Sequence, residues 1–157
     1  MDRLWSPWRY RYVSKQGPHE CIFCVNSALN DDKSTYIIHR AEKNFVLLNL
    51  YPYTSGHLMI APYAHVPSLS ESEPSALQEM ILLAQRAEAA LRKAYNPSGY
   101  NIGLNIGESA GAGIAGHIHM HVLPRWPGDA NFMTTIAETR VIPEDLGTTY
   151  AKLREAF

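Results

Sequence analysis

Three histidines stand at alternate positions in the stretch GHIHMHVLPRW, residues 116–126: His117, His119 and His121. Imidazole titrates nearest to neutral pH and is the commonest metal ligand among side chains. The residues between the histidines are apolar, which predicts a β-strand with one apolar face and one histidine face. Strand neighbours two apart are separated by ~6.6 Å, so His117 and His121 stand roughly 13 Å apart. Because Zn–N bonds measure only ~2 Å, we expect different functions for the three histidines rather than one shared ion. The alternative is a polar strand face exposed to solvent.

The only two cysteines, Cys21 and Cys24, lie in the stretch CIFC. This spacing is typical of a redox pair or of half a metal site. A thioredoxin-like pair follows a strand, whereas the segment before Cys21 is polar and turn-like. The sequence therefore favours zinc over redox chemistry, with two further ligands to come from the histidines.

The loop that precedes the histidines, GAGIAG at 111–116, matches the G-x-G-x-x-G pattern literally. A dinucleotide-binding fingerprint needs a helix after it, because the helix N-terminus holds the pyrophosphate. A strand is expected here instead, so we reject that reading. The glycines still allow backbone N–H groups to converge on an anion, and we interpret the loop as a phosphate cradle rather than a flexible hairpin connection. The sequence has no Walker lysine motif and no G-x-S-x-G elbow, so phosphate chemistry on this chain would use histidine as its nucleophile.

The elements that must position these groups follow from the hydrophobic pattern. Strands are predicted for five apolar stretches: 35–40, 44–50, 57–62, 100–106 and 117–123. A long helix is predicted from about 73 to 95, with Ser72 as its N-cap. A further strand is predicted at 134–142, and a short C-terminal helix with a glycine break within 143–157. The order β-β-β-α-β-β predicts an α+β fold with a mostly antiparallel five-stranded sheet.

Length and composition limit the function classes. A chain of 157 residues predicts one domain with a substantial core, to which we assign an N-terminal arm (1–20) and a C-terminal extension (125–157). The formal net charge of −1 argues against a large nucleic-acid partner. There is no apolar stretch of about 18 residues to span a membrane, and the N-terminus lacks the apolar core of a signal peptide. We expect a cytoplasmic protein.

Two motifs resemble those of the histidine triad (HIT) superfamily of nucleotidyl hydrolases and transferases. The stretch HIHMHVL resembles the superfamily's His-x-His-x-His signature, and NLYPYTSGHLMIAP (49–62) resembles its Asn/Asp-x-x-Pro-x-x-x-Gly-His motif. The stretch NIGESAGAGIAGHIHMHVLPRWPGDANFM (105–133) and the Trp-rich start are similar to the bacterial diadenosine tetraphosphate (Ap4A) phosphorylases of that superfamily. One departure is that many triad hydrolases carry Gly-Gln-Ser or Gly-Gln-Thr just before the triad, and this chain does not.

The resemblance implies a HIT-like fold and the reaction of Ap4A with phosphate to give ATP and ADP. It implies that His119 attacks the α-phosphorus and forms a nucleotidyl-histidine, that His121 contacts phosphate or orients His119, and that His57 supports them. It also implies a homodimer or higher homo-oligomer. The alternatives are a HIT-type hydrolase that uses water on dinucleoside polyphosphates or nucleoside phosphoramidates, and a nucleotide-binding regulator without catalysis.

The same resemblance assigns the remaining candidate residues. Asn49 would contact the ribose hydroxyls and Asn105 the phosphates. Arg125 and Trp126 would either contact phosphate and base or pack at a subunit contact. The phosphate cradle would comprise Gly111, Ala112, Gly113 and Ile114.

A structural zinc ion is implied by similarity to galactose-1-phosphate uridylyltransferases, which are relatives of the superfamily. The tetrahedral ligand set would be Cys21, Cys24, His65 and His117. His19 and His39 are spare histidines, of which His19 is close enough to Cys21 to compete with His65. The aromatic and basic residues of the arm would stack on a base or pack on a neighbouring subunit: Trp5, Trp8, Arg9 and Arg11.

Overall fold

A single antiparallel sheet of five strands organises the computed structural model, which describes residues 20–129 and 142–157. The strands are β1 (Ile37–Arg40), β2 (Asn44–Leu48), β3 (Leu58–Pro62), β4 (Gly99–Leu104) and β5 (Met120–Arg125). Their spatial order is β1-β2-β3-β5-β4, with every neighbouring pair antiparallel. The α+β class and the antiparallel five-stranded sheet predicted from the sequence are confirmed.

Four α-helices belong to the described residues: α1 (Ile22–Ala28), α2 (Asp32–Thr35), α3 (Pro74–Tyr95) and α4 (Leu146–Ala156). The long helix α3 begins with a proline, whose fixed φ suits the first turn, and ends where Asn96 adopts a left-handed conformation. The prediction of Ser72 as its N-cap is wrong, because Glu73 occupies that position and the Ser72 hydroxyl donates to the carbonyl of Ser68 instead. None of the described helices combines the length and apolar character needed to cross a bilayer.

The C-terminal helix α4 is continuous. Its N-cap is Asp145, whose carboxylate accepts a hydrogen bond from the backbone N–H of Thr148 at 3.0 Å. The predicted glycine break is wrong, since Gly147 lies in the first turn, where a cap already fixes the backbone.

The two faces of the sheet bury different neighbours, because side chains alternate along each strand. One face packs against α3 and α4 in a core that includes Val46, Leu48, Leu58, Ile60, Met120 and Val122. The opposite face carries Phe45, Leu47, Met59 and Ala61, which are covered by Phe23 of α1. His121 is paired with Met59 in the β3–β5 register and therefore points to this second face.

Some predicted boundaries differ from the structure. The ladder of the histidine strand begins at Met120 rather than at His117, because the preceding residues leave the sheet and Ile118 donates its N–H to the carbonyl of Val66. Helix α1 was not predicted, since seven residues give too short an apolar period to recognise. The predicted arm at 1–20 and strand at 134–142 lie outside the described residues, apart from Glu20 and Ile142.

Candidate active site and metal centre

An open pocket lies on the sheet face covered by α1, and six of the eleven predicted catalytic and substrate-binding residues line it. The glycine loop contributes Gly111, Gly113 and Ile114, and the histidine segment contributes His119 and His121. Further lining side chains come from α1 and from β2 with its following loop, and include Ile22, Phe23, Asn26, Leu47, Asn49, Tyr51 and Tyr53. The loop and the histidines thus share one cavity, as their closeness in sequence suggested.

His119 is held in a defined orientation at the wall of this pocket. The residue is only 4% exposed, which excludes the alternative of a solvated histidine face. The Nδ1 atom lies 2.8 Å from the carbonyl oxygen of His117, and a carbonyl can only accept, so we infer that Nδ1 carries the proton. The Nε2 atom then keeps its lone pair. Burial lowers the pKa of His119, although the hydrogen bond to His117 opposes this, so the ring is neutral at pH 7 and suited to nucleophilic attack.

A series of hydrogen bonds fixes the tautomer of His121, which is the opposite of the one adopted by His119. The backbone N–H of Tyr53 donates to Nδ1 of His57 at 3.2 Å, which leaves the ring proton of His57 on Nε2. That Nε2 lies 2.9 Å from Nδ1 of His121. His121 therefore accepts at Nδ1 and carries its own proton on Nε2. A neutral imidazole with its N–H so fixed can donate to a phosphate oxygen.

The rings of the site also contact one another. The ring centroids of His119 and His121 are 4.9 Å apart, and those of His57 and His121 are 5.1 Å apart. Burial, and next the neighbouring His119, lower the pKa of His121 to about 4. Both triad rings facing the pocket therefore stay uncharged near neutral pH.

Asn49 connects the pocket to the histidine network. Its Oδ1 accepts from the N–H of Tyr51 at 2.9 Å, and its Nδ2 lies 3.4 Å from Nδ1 of His57. These contacts lock the turn between β2 and β3, with the Asn49 side chain at the pocket wall.

Five predicted catalytic or substrate-binding residues do not line this pocket, namely His57, which lies behind His121, and four others. Arg125 is paired through both Nε and Nη2 with the carboxylate of Asp129, at 2.6 and 2.7 Å, and Trp126 packs edge-on against Tyr95. The N–H of Ala112 donates back to the carbonyl of Gly107, and Asn105 lies just beyond the end of β4. Asn105 nevertheless follows Leu104, the register partner of Met120, and Ala112 lies between two residues that line the pocket, so contacts of both with a substrate stay predictions.

A second cluster, beside the pocket, comprises Cys21, Cys24, His65 and His117, whose potential ligand atoms all lie within 4.8 Å of one another. These four residues could hold a metal ion. The Nδ1 atoms of the two histidines are 3.3 Å apart, and Sγ of Cys24 lies 3.4 and 3.6 Å from them. A tetrahedron with Zn–N and Zn–S bonds of the usual length has N–N edges of about 3.3 Å and N–S edges of about 3.6 Å. The donor set therefore fits zinc in both chemistry and spacing.

The orientation of His117 supports the same interpretation. Its Nε2 lies 2.8 Å from the carbonyl oxygen of Pro62, which assigns the ring proton to Nε2 and turns the Nδ1 lone pair to the cysteines. The residue is 1% exposed, and burial lowers the pKa of its imidazole, which favours the neutral form that a metal ligand needs. His39, one of the spare histidines, lies apart on β1 against Arg86, and His19 lies outside the described residues.

Helix α1 joins the two sites, because it begins between the cysteines and presents Phe23 to the pocket. The Phe23 ring is fully buried, with its centroid 5.0 Å from the ring of His117 and 4.8 Å from that of His119. The far end of α1 is held by Arg40, whose guanidinium donates to the carbonyls of Ser27 and Leu29 at 2.7 Å each. These bonds satisfy carbonyls that the helix end leaves without an internal partner.

Phe23, Asn26 and Tyr53 line the pocket but were not predicted as site residues. For Phe23 a signal was present, since an aromatic residue between two candidate metal ligands must lie near the metal. The spacing of Phe23 and Asn26, three residues apart, predicts a shared face only once α1 is recognised as a helix.

Comparison with known proteins is consistent with this geometry. The family model described as HIT domain matches residues 30–128. A Mycobacterium tuberculosis protein named AP-4-A phosphorylase is 37% identical over 158 residues, covering 95% of this chain and 80% of the relative. A Schizosaccharomyces pombe protein named bis(5'-nucleosyl)-tetraphosphatase [asymmetrical] is 29% identical over 59% of this chain and 50% of the relative. The crystal structure of a Zn-bound histidine triad family protein from Mycobacterium smegmatis superposes with a TM-score of 0.69 at 29% identity, covering 89% of this chain and 94% of that one.

Proposed function

Since this chain belongs to the HIT domain family, we propose that it is an Ap4A phosphorylase, which converts Ap4A and inorganic phosphate into ATP and ADP. The observation that carries the proposal is the pair of fixed tautomers at the pocket, a lone pair on Nε2 of His119 beside an N–H on Nε2 of His121. One nitrogen is ready to form a bond to phosphorus and the other to donate to a phosphate oxygen.

In the first step, Nε2 of His119 attacks the α-phosphorus of the dinucleotide. The P–N bond forms, the bond from this phosphorus to the bridging oxygen breaks, and ATP leaves with that oxygen. The Nδ1 proton of His119 stays on the ring and remains hydrogen-bonded to the carbonyl of His117, which stabilises the positive charge that develops on the imidazole. His121 donates to phosphate oxygens, oriented by the buried His57.

In the second step, an oxygen of inorganic phosphate attacks the adenylyl phosphorus. The new P–O bond yields ADP, and the P–N bond breaks to restore the neutral His119. Phosphate must compete with water, which is present at a far higher concentration. This requires a site that holds phosphate in line for attack, and such positioning can supply effective molarities of ~10⁵ M or more. The loop residues Gly111, Gly113 and Ile114 at the pocket wall are candidates for this site.

We assign the metal cluster to structural zinc. Two thiolates and two imidazoles form a closed set with no position left for substrate, which is typical of structural sites. When bound, the ion would tie the start of α1 to the segment carrying the catalytic histidine. A reducing compartment such as the cytoplasm, where we place the protein, keeps both thiols available.

Phosphate as the acceptor is supported by the relative named AP-4-A phosphorylase, which is similar along nearly the whole chain. The alternative is hydrolysis by water, which is favoured by the more distant relative named as a tetraphosphatase. Both reactions share the first step and differ only in what removes the nucleotide from His119.

We also propose that the protein is a homodimer joined at β4. This strand is at the edge of the sheet, where its outward backbone groups can pair with another strand. Its side chains include the exposed Ile102, with Ile106 just beyond it, both more than 40% exposed. Sedimentation equilibrium should give twice the chain mass, and Ile102→Lys should shift the protein to monomer.

The experiment that tests the function uses intact mass spectrometry after rapid quenching. With Ap4A and no phosphate, we expect a burst of ATP and an adenylylated chain, with the modification on His119. Adding phosphate should remove the adenylyl group and release ADP. A chain that is never modified, although Ap4A is consumed, would contradict the nucleophile assignment. A chain that loses its adenylyl group equally fast without phosphate would favour the hydrolase.

A further inference from the structure

The pocket has two chemically different walls. The histidine wall carries His119 and His121, and the wall formed by α1 presents Ile22 and Phe23. A nucleotide has the same division, with an anionic phosphate at one end and a flat, largely apolar base at the other. Since the Phe23 ring is 4.8 Å from His119, a nucleotide whose phosphate lies at His119 can place its base against α1.

One polar side chain interrupts the apolar wall. Asn26 lies three residues after Phe23 and four after Ile22, so the three side chains share a face of α1. Asn26 is half-buried and lines the pocket. Within the described residues its amide makes no hydrogen bond, whereas Asn49, His119 and His121 on the other side are all bonded to protein groups.

The edge of a bound base needs such a group. Base nitrogens and amino groups lose their water when they enter a pocket, and burying them without a partner costs free energy. An asparagine amide offers an acceptor beside a donor, which matches the amino group of adenine beside a ring nitrogen in two parallel hydrogen bonds. Leucine or isoleucine at this position would provide the apolar wall without that recognition.

We propose that Asn26 is a specificity-determining residue that reads the edge of the adenine base. The proposal rests on the proposed function in one respect, namely that the nucleotide binds with its phosphate at His119. The amide oxygen accepts from the amino group of the base, and the amide N–H donates to the neighbouring ring nitrogen, while the exposed Ile22 contacts the face of the ring.

The test compares the affinities of three ligands that need no turnover. They are AMP, purine riboside 5'-monophosphate, which lacks the amino group, and ribose 5-phosphate, which lacks the base. Calorimetry is performed on the zinc-loaded wild type and on Asn26→Leu. A site built to hydrogen-bond a group rejects an analogue that lacks it, so we expect the wild type to prefer AMP over the purine riboside by about tenfold. In Asn26→Leu the preference should fall to about twofold or less, with ribose 5-phosphate binding unchanged.

Two further variants make the result decisive. Asn26→Ser removes the amide with a smaller side chain and should show the same lost preference. Asn30→Leu, an equivalent change at an exposed position just after α1, should keep the wild-type preference. Equal weakening of AMP and purine riboside 5'-monophosphate in the Asn26 variants would overturn the proposal, as would a wild type that binds both equally. Neither result bears on whether phosphate or water accepts the nucleotide.

Discussion

The Nδ1 atom of His119 lies 2.8 Å from the carbonyl oxygen of His117. One residue of the metal cluster thereby fixes, through its backbone, the tautomer of the proposed nucleophile, while its own ring turns Nδ1 to the cysteines. The two sites are therefore coupled by a single hydrogen bond and by the Phe23 ring packed against both histidines.

Replacing His119 by asparagine should abolish turnover and preserve the fold. The amide nitrogen of asparagine can reproduce the Nδ1 hydrogen bond to the His117 carbonyl, but nothing replaces Nε2. We expect turnover to fall by about 10³-fold or more and AMP affinity to change by less than about threefold. His39→Asn, at a histidine bonded to Arg86, is the matched control and should turn over normally. Near-normal turnover of His119→Asn would show that another group attacks phosphorus.

Replacing His57 should impair catalysis through His121. His57→Phe removes the donor to Nδ1 of His121 and frees that ring to change tautomer or rotate, so we expect kcat to fall by about 10- to 100-fold. His57→Gln keeps an N–H near the Nε2 position and should recover much of the loss. If the glutamine variant is as impaired as the phenylalanine variant at equal thermal stability, His57 does not act by orienting His121.

Stability should decrease in mild acid because of His121. Its pKa is lowered to about 4 in the folded protein, mainly by burial, against about 6.5 in an unfolded chain. Between these values the unfolded state binds more protons, so the free energy of unfolding decreases as pH falls from about 6.5 to about 4. His121→Asn should make this slope shallower in urea titrations across that range. An unchanged slope would mean that His121 does not retain its neutral form in this window.

Removing zinc should destabilise the protein and loosen α1. We expect one zinc per chain in protein purified without chelator, and a loss of metal in both His117→Ala and Cys24→Ser. Because metal binding is coupled to folding, the melting temperature of each variant should fall by more than about 5 °C. His39→Ala should keep its zinc. Wild-type protein that contains no zinc, with both thiols reactive, would contradict the assignment.

The strand pattern was sufficient to predict the sheet and the long helix. The motifs were sufficient to predict that His117 lies near the two cysteines. The alternation of apolar residues and histidines gave the right faces, since Met120 and Val122 enter the main core while His121 faces the pocket. The glycine loop before the histidines lines the pocket, and no helix follows it, as expected for a sequence that only imitates a dinucleotide fingerprint.

The sequence could not predict the hydrogen bonds made by backbone carbonyl groups, because every residue carries such a group. The tautomers of His117 and His119 depend on the carbonyls of Pro62 and of His117 itself, and backbone carbonyls leave no mark in a sequence. The ion pair of Arg125, by contrast, could have been predicted from the sequence, because Asp129 follows four residues later. Its carboxylate neutralises the Arg125 guanidinium away from the pocket.

The fate of labelled phosphate tests the central claim most directly. With Ap4A and radiolabelled inorganic phosphate, the proposed reaction gives ADP and ATP in equal amounts, with the label in the β-phosphate of ADP and little AMP formed. AMP and ATP released at the same rate with or without phosphate, and no label in ADP, would contradict the phosphorylase proposal and identify water as the acceptor.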